Sequence, residues 1–203
     1  MKQVDLPLPI AGVDEVGRGP LAGDVLAAAV ILQKESQIPE LDDSKSMTPK
    51  KRKALYSLIK NNALYWSVGR ASVAEIDKKN ILKATLLAMD RAVQGLAVIP
   101  GFILVDGNQL PNWGYPSRAI IRGDEKIPEI SAASIIAKVT RDQELEELDA
   151  LYPGYGFARN KGYPTKEHLT ALKKLGPTDE LFLWRVDGEN STVYLMGSIH
   201  FLK

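Results

Sequence analysis

Short, nearly unbroken apolar runs alternate along this chain with longer stretches in which apolar residues return every three or four positions, the pattern of strands interleaved with helices. Ile10 and Val13 seat a first strand in a core, and residues 24–32 read as a continuous apolar strand, covered on both faces and paired with the first through a glycine turn. Thr48 and Pro49 provide an N-cap and a first-turn proline for a helix reaching about Asn61. Residues 63–71 predict a third strand, and Ser72 with Glu75 forms a capping box that opens a short helix. Leu82, Leu86, Met89 and Val93 recur at helical spacing within residues 81–95, a stripe that packs into the core and carries no chemistry. A buried strand over residues 101–105 delivers Asp106 and Gly107, and residues 117–122 form a further strand. A long helix over residues 130–148 begins with Ser131, Ala132, Ala133 and Ser134, small enough for close packing on a sheet. The order predicts an α/β fold built on a mixed sheet, with no internal repeat or low-complexity segment.

Composition narrows this picture without redirecting it. A chain of 203 residues with 45% hydrophobic residues fits one sizeable domain or a domain with a small appendage. Cysteine is absent, which excludes disulfides and thiolate metal sites and fits a reducing compartment. No apolar run is long enough to span a bilayer, so a cytoplasmic protein without membrane attachment is expected. The net charge of +1 means that adhesion to polyanions must come from local patches. Lys50, Lys51, Arg52 and Lys53 form one such patch on the predicted first helix, either a solvated face or a phosphate contact.

The stretch from Ile10 to Gly23 concentrates the candidate chemistry. Neighbouring side chains of a strand point to opposite faces, so Asp14 and Glu15 cannot both enter one apolar layer, and at least one faces a site. Gly17, Gly19 and Gly23 let backbone approach a ligand, while Arg18 offers a planar donor fork suited to phosphate. Asp14, Glu15, Asp106 and Asp124 stand at or just beyond the ends of separate strands. Hard oxygen ligands in that arrangement suit Mg²⁺ or Mn²⁺ in a two-metal phosphoryl-transfer site, where cations take over the work of a histidine base. Strand-end acids also serve as helix caps and turn residues, and pattern alone leaves both readings open.

These residues resemble the opening motif of type 2 ribonuclease H, the ribonuclease HII family, over Gly12 to Gly23. Further segments match in order: Asp43-Ser44-Lys45, Val105-Asp106-Gly107, Gly123-Asp124, Ser131 to Asp142, Tyr152 to Gly156, and Lys161 to His168. The resemblance covers roughly residues 8–180, and a collinear set of this kind is far more specific than a lone Gly-Arg-Gly. It implies a ribonuclease H-like mixed five-stranded sheet flanked by helices, with residues 1–180 as the catalytic domain. It also implies an endonuclease that hydrolyses the RNA strand of RNA–DNA hybrids and cuts 5′ of single ribonucleotides in duplex DNA, leaving 3′-hydroxyl and 5′-phosphate ends. By the same resemblance Asp14, Glu15, Asp106 and Asp124 become the catalytic, metal-binding acids for two Mg²⁺ or Mn²⁺ ions. Gly17, Arg18 and Gly19 become the loop that reads the ribonucleotide, Tyr163 the sugar sensor, and Lys45 a loop lysine that touches phosphate. A monomer acting on RNA–DNA hybrid and on ribonucleotide-containing DNA duplex is expected.

The chain departs from the family at its end. In place of a basic tail, residues 181–203 become strand-like, and Asp187-Gly188-Glu189-Asn190 is a turn signal between two apolar segments, hence a β-hairpin foreign to the family. Arg159, Lys161 and Lys166 could form a basic patch beside Tyr163, and His168 reads as a surface or packing histidine. Two other classes remain distinct in what they predict. An actin-like ATPase would hydrolyse ATP without nuclease activity, and a silent nucleic-acid-binding module would bind substrate without metal-dependent cleavage.

Overall fold

The computed structural model describes residues 7–33, 38, 41, 47–176, 183–188 and 191–196. Its strands and helices run in the order β1 (Ile10–Val16), β2 (Val25–Leu32), α1 (Pro49–Asn62), β3 (Ala63–Ala71), α2 (Val73–Lys79), α3 (Ile81–Gln94), β4 (Phe102–Asp106), β5 (Ser117–Ile120), α4 (Pro128–Leu151), α5 (Phe157–Asn160), α6 (Lys166–Leu175), β6 (Leu183–Gly188) and β7 (Ser191–Met196). Packing divides the chain into two compact units, one of residues 1–16, 26–70 and 86–139, the other of residues 17–25, 71–85 and 140–203. Lys45, expected to contact phosphate, lies outside the described residues together with Asp43 and Ser44.

The first unit is built on a five-stranded sheet of order β3-β2-β1-β4-β5. β1 pairs antiparallel with β2 and parallel with β4, and β4 pairs parallel with β5. The sheet is therefore mixed, as its sequence pattern predicts. β2 is apolar throughout and buried over all but its last residue, which suits an inner strand covered on both faces. On one side, Ala28 and Val30 pack with Leu55 and Ile59 of α1 and with Ile135, Ile136 and Val139 of α4. Thr48 caps α1 by accepting the Lys51 amide, as its sequence signature predicts.

α4 approaches β1 closely because of Gly12. A β-carbon at Gly12 would stand 2.1 Å from the Glu129 carbonyl carbon and 2.3 Å from the Ile130 nitrogen, so helix backbone lies directly on strand backbone there. The strand expected over residues 117–122 ends at Ile120, because Arg122 adopts a left-handed conformation at φ 55° and starts a 3-10 turn, Gly123–Glu125. α4 opens at Pro128, earlier than residue 130, since proline fits a first helical turn.

The second unit has its own core of Leu21, Ala22, Leu145, Tyr155, Phe157, Ala171 and Leu172. Phe157 stacks on Tyr155 at 5.4 Å between centroids and meets the edge of His168 at 5.5 Å. α2 carries the reciprocal capping box of Ser72 and Glu75. β6 and β7 pair antiparallel, with Leu183 opposite Met196 and Gly188 opposite Ser191.

Candidate active site

The parallel pairing of β1 with β4 sets Val13 opposite Val105, so the next residues, Asp14 and Asp106, stand side by side toward the carboxyl ends of the two strands. Glu15 joins them, and one carboxylate oxygen from each of Asp14, Glu15 and Asp106 lies within 4.8 Å of the others. On the antiparallel side Asp14 faces Ala28 and Glu15 faces Ala27, whose methyl groups leave room for the acids. Although Asp14 and Glu15 are neighbours along β1, each brings a carboxylate oxygen to the same group.

Each acid is oriented by neighbouring groups. Asp14 is 6% exposed, and its Oδ1 accepts the Glu15 amide at 2.7 Å. Ser134 of α4 hydrogen-bonds the same carboxylate through its side chain. The close approach at Gly12 is what brings that turn of α4 within reach. Asp106 Oδ1 accepts the Gly123 amide at 2.6 Å and the Asp124 amide at 3.4 Å, so the 3-10 turn fixes its rotamer. Asp124 itself is buried at 1% exposure, and its backbone is tied to the cluster through Asp106, while its carboxylate is not among the three that converge. Glu125, next to Asp124 in the turn, is exposed and pairs with Arg122 at 2.5 Å.

Burial drives the Asp14 carboxyl well above the usual carboxylate range, and the charges of Glu15 and Asp106 push in the same direction, against the bonds from Ser134 and the Glu15 amide. Three acids gathered in this way repel one another. A hard divalent cation, bound by oxygen donors of this type, would reverse that repulsion, so the donor set fits Mg²⁺ or Mn²⁺.

The predicted reading residues fall in the second unit and are neighbours there. Gly17 is buried, whereas Arg18 and Gly19 are exposed. A β-carbon on Gly19 would touch Tyr163 Cε1 at 3.4 Å, so the tyrosine ring lies against the glycine loop. Leu21 donates its amide to Gly162 O at 2.7 Å and ties the two segments together. The Tyr163 side chain is 42% exposed on a fixed backbone: its amide bonds Asn160 O at 2.9 Å, and its carbonyl accepts the Thr165 amide at 2.8 Å. His168 Nδ1 lies 2.9 Å from the same carbonyl and bonds it.

Three residues with definite duties here escape sequence reasoning. His168 is fully buried, so of its two sequence readings packing holds, and what escaped is its bond to the Tyr163 carbonyl; burial lowers its imidazole pKa, opposed by the carbonyls of Tyr163 and Gly162. Arg141 is fully buried, and Ser134 supports Asp14. The expected patch of Arg159, Lys161 and Lys166 is largely compensated, since Arg159 pairs with Glu167 and Lys161 pairs with Glu146 at 2.8 Å.

A mixed five-stranded sheet with acids converging at the carboxyl edge of its parallel strands defines the ribonuclease H-like class of folds. The family model for ribonuclease HII matches residues 11–186, and the chain belongs to that family. The chain is 61% identical to the ribonuclease HII of Pseudoalteromonas atlantica over 84% of its own length and 87% of that protein's. It is 60% identical to the ribonuclease HII of Shewanella amazonensis, over 82% of this chain and 81% of the relative. Among solved structures, the ribonuclease H2 of Pyrococcus horikoshii OT3 superposes with a TM-score of 0.72 at 27% identity, covering 85% of this chain and 90% of that one. Membership carries ribonuclease H endonuclease activity, the cleavage of the RNA strand in hybrids. Among the described residues no helix is long and apolar enough to cross a membrane.

Proposed function

We propose that this enzyme cuts on the 5′ side of single ribonucleotides embedded in duplex DNA, as well as within RNA–DNA hybrids, and leaves 3′-hydroxyl and 5′-phosphate ends. The observation that carries the reading is the convergence of Asp14, Glu15 and Asp106 within 4.8 Å, in a chain of the ribonuclease HII family. Asp14, Glu15 and Asp106, with Asp124 beside them, would hold two divalent ions, Mg²⁺ or Mn²⁺. Bound there, the ions supply activation of the attacking water and neutralisation of charge on the departing 3′-oxygen. The chain's own task is placement. Backbone groups of Gly17, Arg18 and Gly19 bond the 2′-hydroxyl that separates RNA from DNA, and the Tyr163 ring stacks beside the neighbouring sugar.

Against an all-DNA duplex the groups aimed at the 2′-hydroxyl are left unpaired, at about 1–3 kcal/mol each. That is too little for full discrimination. The remainder comes from orientation, because the scissile phosphate reaches the acids only when the ribose is seated. The test is cleavage of a labelled duplex carrying one ribonucleotide, with Mg²⁺, Mn²⁺ or a chelator. The expected result is a metal-dependent cut 5′ of the ribonucleotide that disappears when the ribose becomes 2′-deoxy. Cleavage of an all-DNA duplex at a comparable rate would refute the reading.

A further inference from the structure

The largest fully buried side chain of the described residues is a cation, Arg141, at 0% exposure. A buried guanidinium is costly unless its donors are used, and these are used on main chain. Nη2 donates to Ala22 O at 2.6 Å, Nε to Asp24 O at 3.2 Å, and Nη1 to Lys161 O at 3.0 Å. Two of these carbonyls close the glycine loop that begins at Gly17, and the third immediately precedes the Gly162–Tyr163 step. The loop is shaped around the guanidinium: Gly17 has φ 104°, and a β-carbon on it would stand 2.8 Å from Arg141 Nε. The far side of the same seam is equally tight, since a β-carbon on Gly162 would stand 2.7 Å from Ala22 O.

We propose that Arg141 is a positioning residue for ribonucleotide recognition, a clamp that holds the glycine loop and the Tyr163 turn in one fixed relation. The inference rests on the proposed reading of those two segments and extends it to a residue that touches no substrate. Arginine is required because one planar fork must reach three carbonyls on two segments, and a lysine ammonium on a single stem cannot reproduce that geometry. Loosening the clamp lets each segment still meet the duplex but no longer in the shared register that seats the ribose. The loss therefore falls on turnover and spares binding.

The test uses Arg141→Lys, Tyr163→Ala, their double variant and Gly162→Ala, all in the full chain, on a duplex carrying one ribonucleotide with Mg²⁺. Arg141→Lys is expected to lower kcat by about tenfold or more with KM within about twofold. In the Tyr163→Ala background the same substitution should cost less than about threefold, because the ring it positions is gone. Amide exchange at Leu21, whose N–H bonds Gly162 O, should quicken in folded Arg141→Lys. Gly162→Ala strains the seam from the other side, leaves the guanidinium in place, and should reproduce the kcat loss. A wild-type chain unable to cut this duplex would overturn the functional reading and the recognition role with it. An active wild type would overturn the role of Arg141 alone if Arg141→Lys or Gly162→Ala turned over normally, if the loss were equal with and without Tyr163, or if Leu21 stayed protected.

Discussion

At the scale of single residues, burial and mutual repulsion in the cluster work against the charge of Asp14. Asp14 is buried beside Glu15 and Asp106, so Asp14→Asn removes repulsion while keeping shape. Turnover with Mg²⁺ should fall to near background, and the metal-free variant should melt no lower than metal-free wild type, as read by a thermal melt in chelator beside the cleavage assay. His168 acts in the opposite sense with respect to acid. Its imidazole is held neutral by burial, so between the depressed folded pKa and the ordinary value of about 6.5 the unfolded chain binds more protons. Stability from this group is complete above about pH 6.5 and declines as acid is added below it. Asp14, with a raised pKa, contributes in the reverse direction, so the comparison must be made between chains. A pH series of melting temperatures should show a shallower acid decline in His168→Asn than in wild type.

At the scale of elements, the contact between β1 and α4 turns a backbone requirement into side-chain placement. Gly12→Ala sets a methyl against the Glu129 and Ile130 backbone, and backbone cannot swing aside as a side chain does. The cost should reach at least the upper end of the ~1–3 kcal/mol typical of overpacking, measured by urea unfolding, with α4 and Ser134 displaced from Asp14. Much at this scale was legible in sequence. The helix of residues 49–62, the Ser72 box and the apolar strands follow from local capping and period. The acids Asp14, Glu15 and Asp106 were legible because each comes after apolar residues of its strand, although Asp14 and Glu15 lie inside β1, which runs on to Val16. What escaped was the non-local part: the register that sets Asp14 beside Asp106, and the duties of Ser134, Arg141 and His168. In sequence Arg141 is one charged residue among Lys138, Asp142 and Glu144, and nothing local says that two of its three carbonyl partners, Ala22 and Asp24, lie more than a hundred positions away. The small residues Ser131 to Ser134 pointed to close helix-on-sheet packing, and Gly12, interior to a strand, marks where the backbones meet.

For the whole molecule, a net charge of +1 leaves specificity to local geometry. The family match ends at residue 186, inside β6, and β6 and β7 form a sheet of two strands apart from the main one. Deleting residues 181–203 should leave the position of the cut unchanged on a sequencing gel, with any change confined to solubility or association. The pairing of β1 with β4 carries a further consequence, one of timing. The β1–β2 hairpin closes over a short loop, but the β1–β4 ladder must bring together strands separated by all of residues 17–101. Closing so long a span is entropically slow, and topologies rich in distant pairings fold slowly. A chain in which that ladder is open has Asp14 and Glu15 without Asp106 beside them, and offers a divalent ion only part of its ligands. The set of Asp14, Glu15 and Asp106 is therefore complete only in a chain whose β1–β4 ladder has closed.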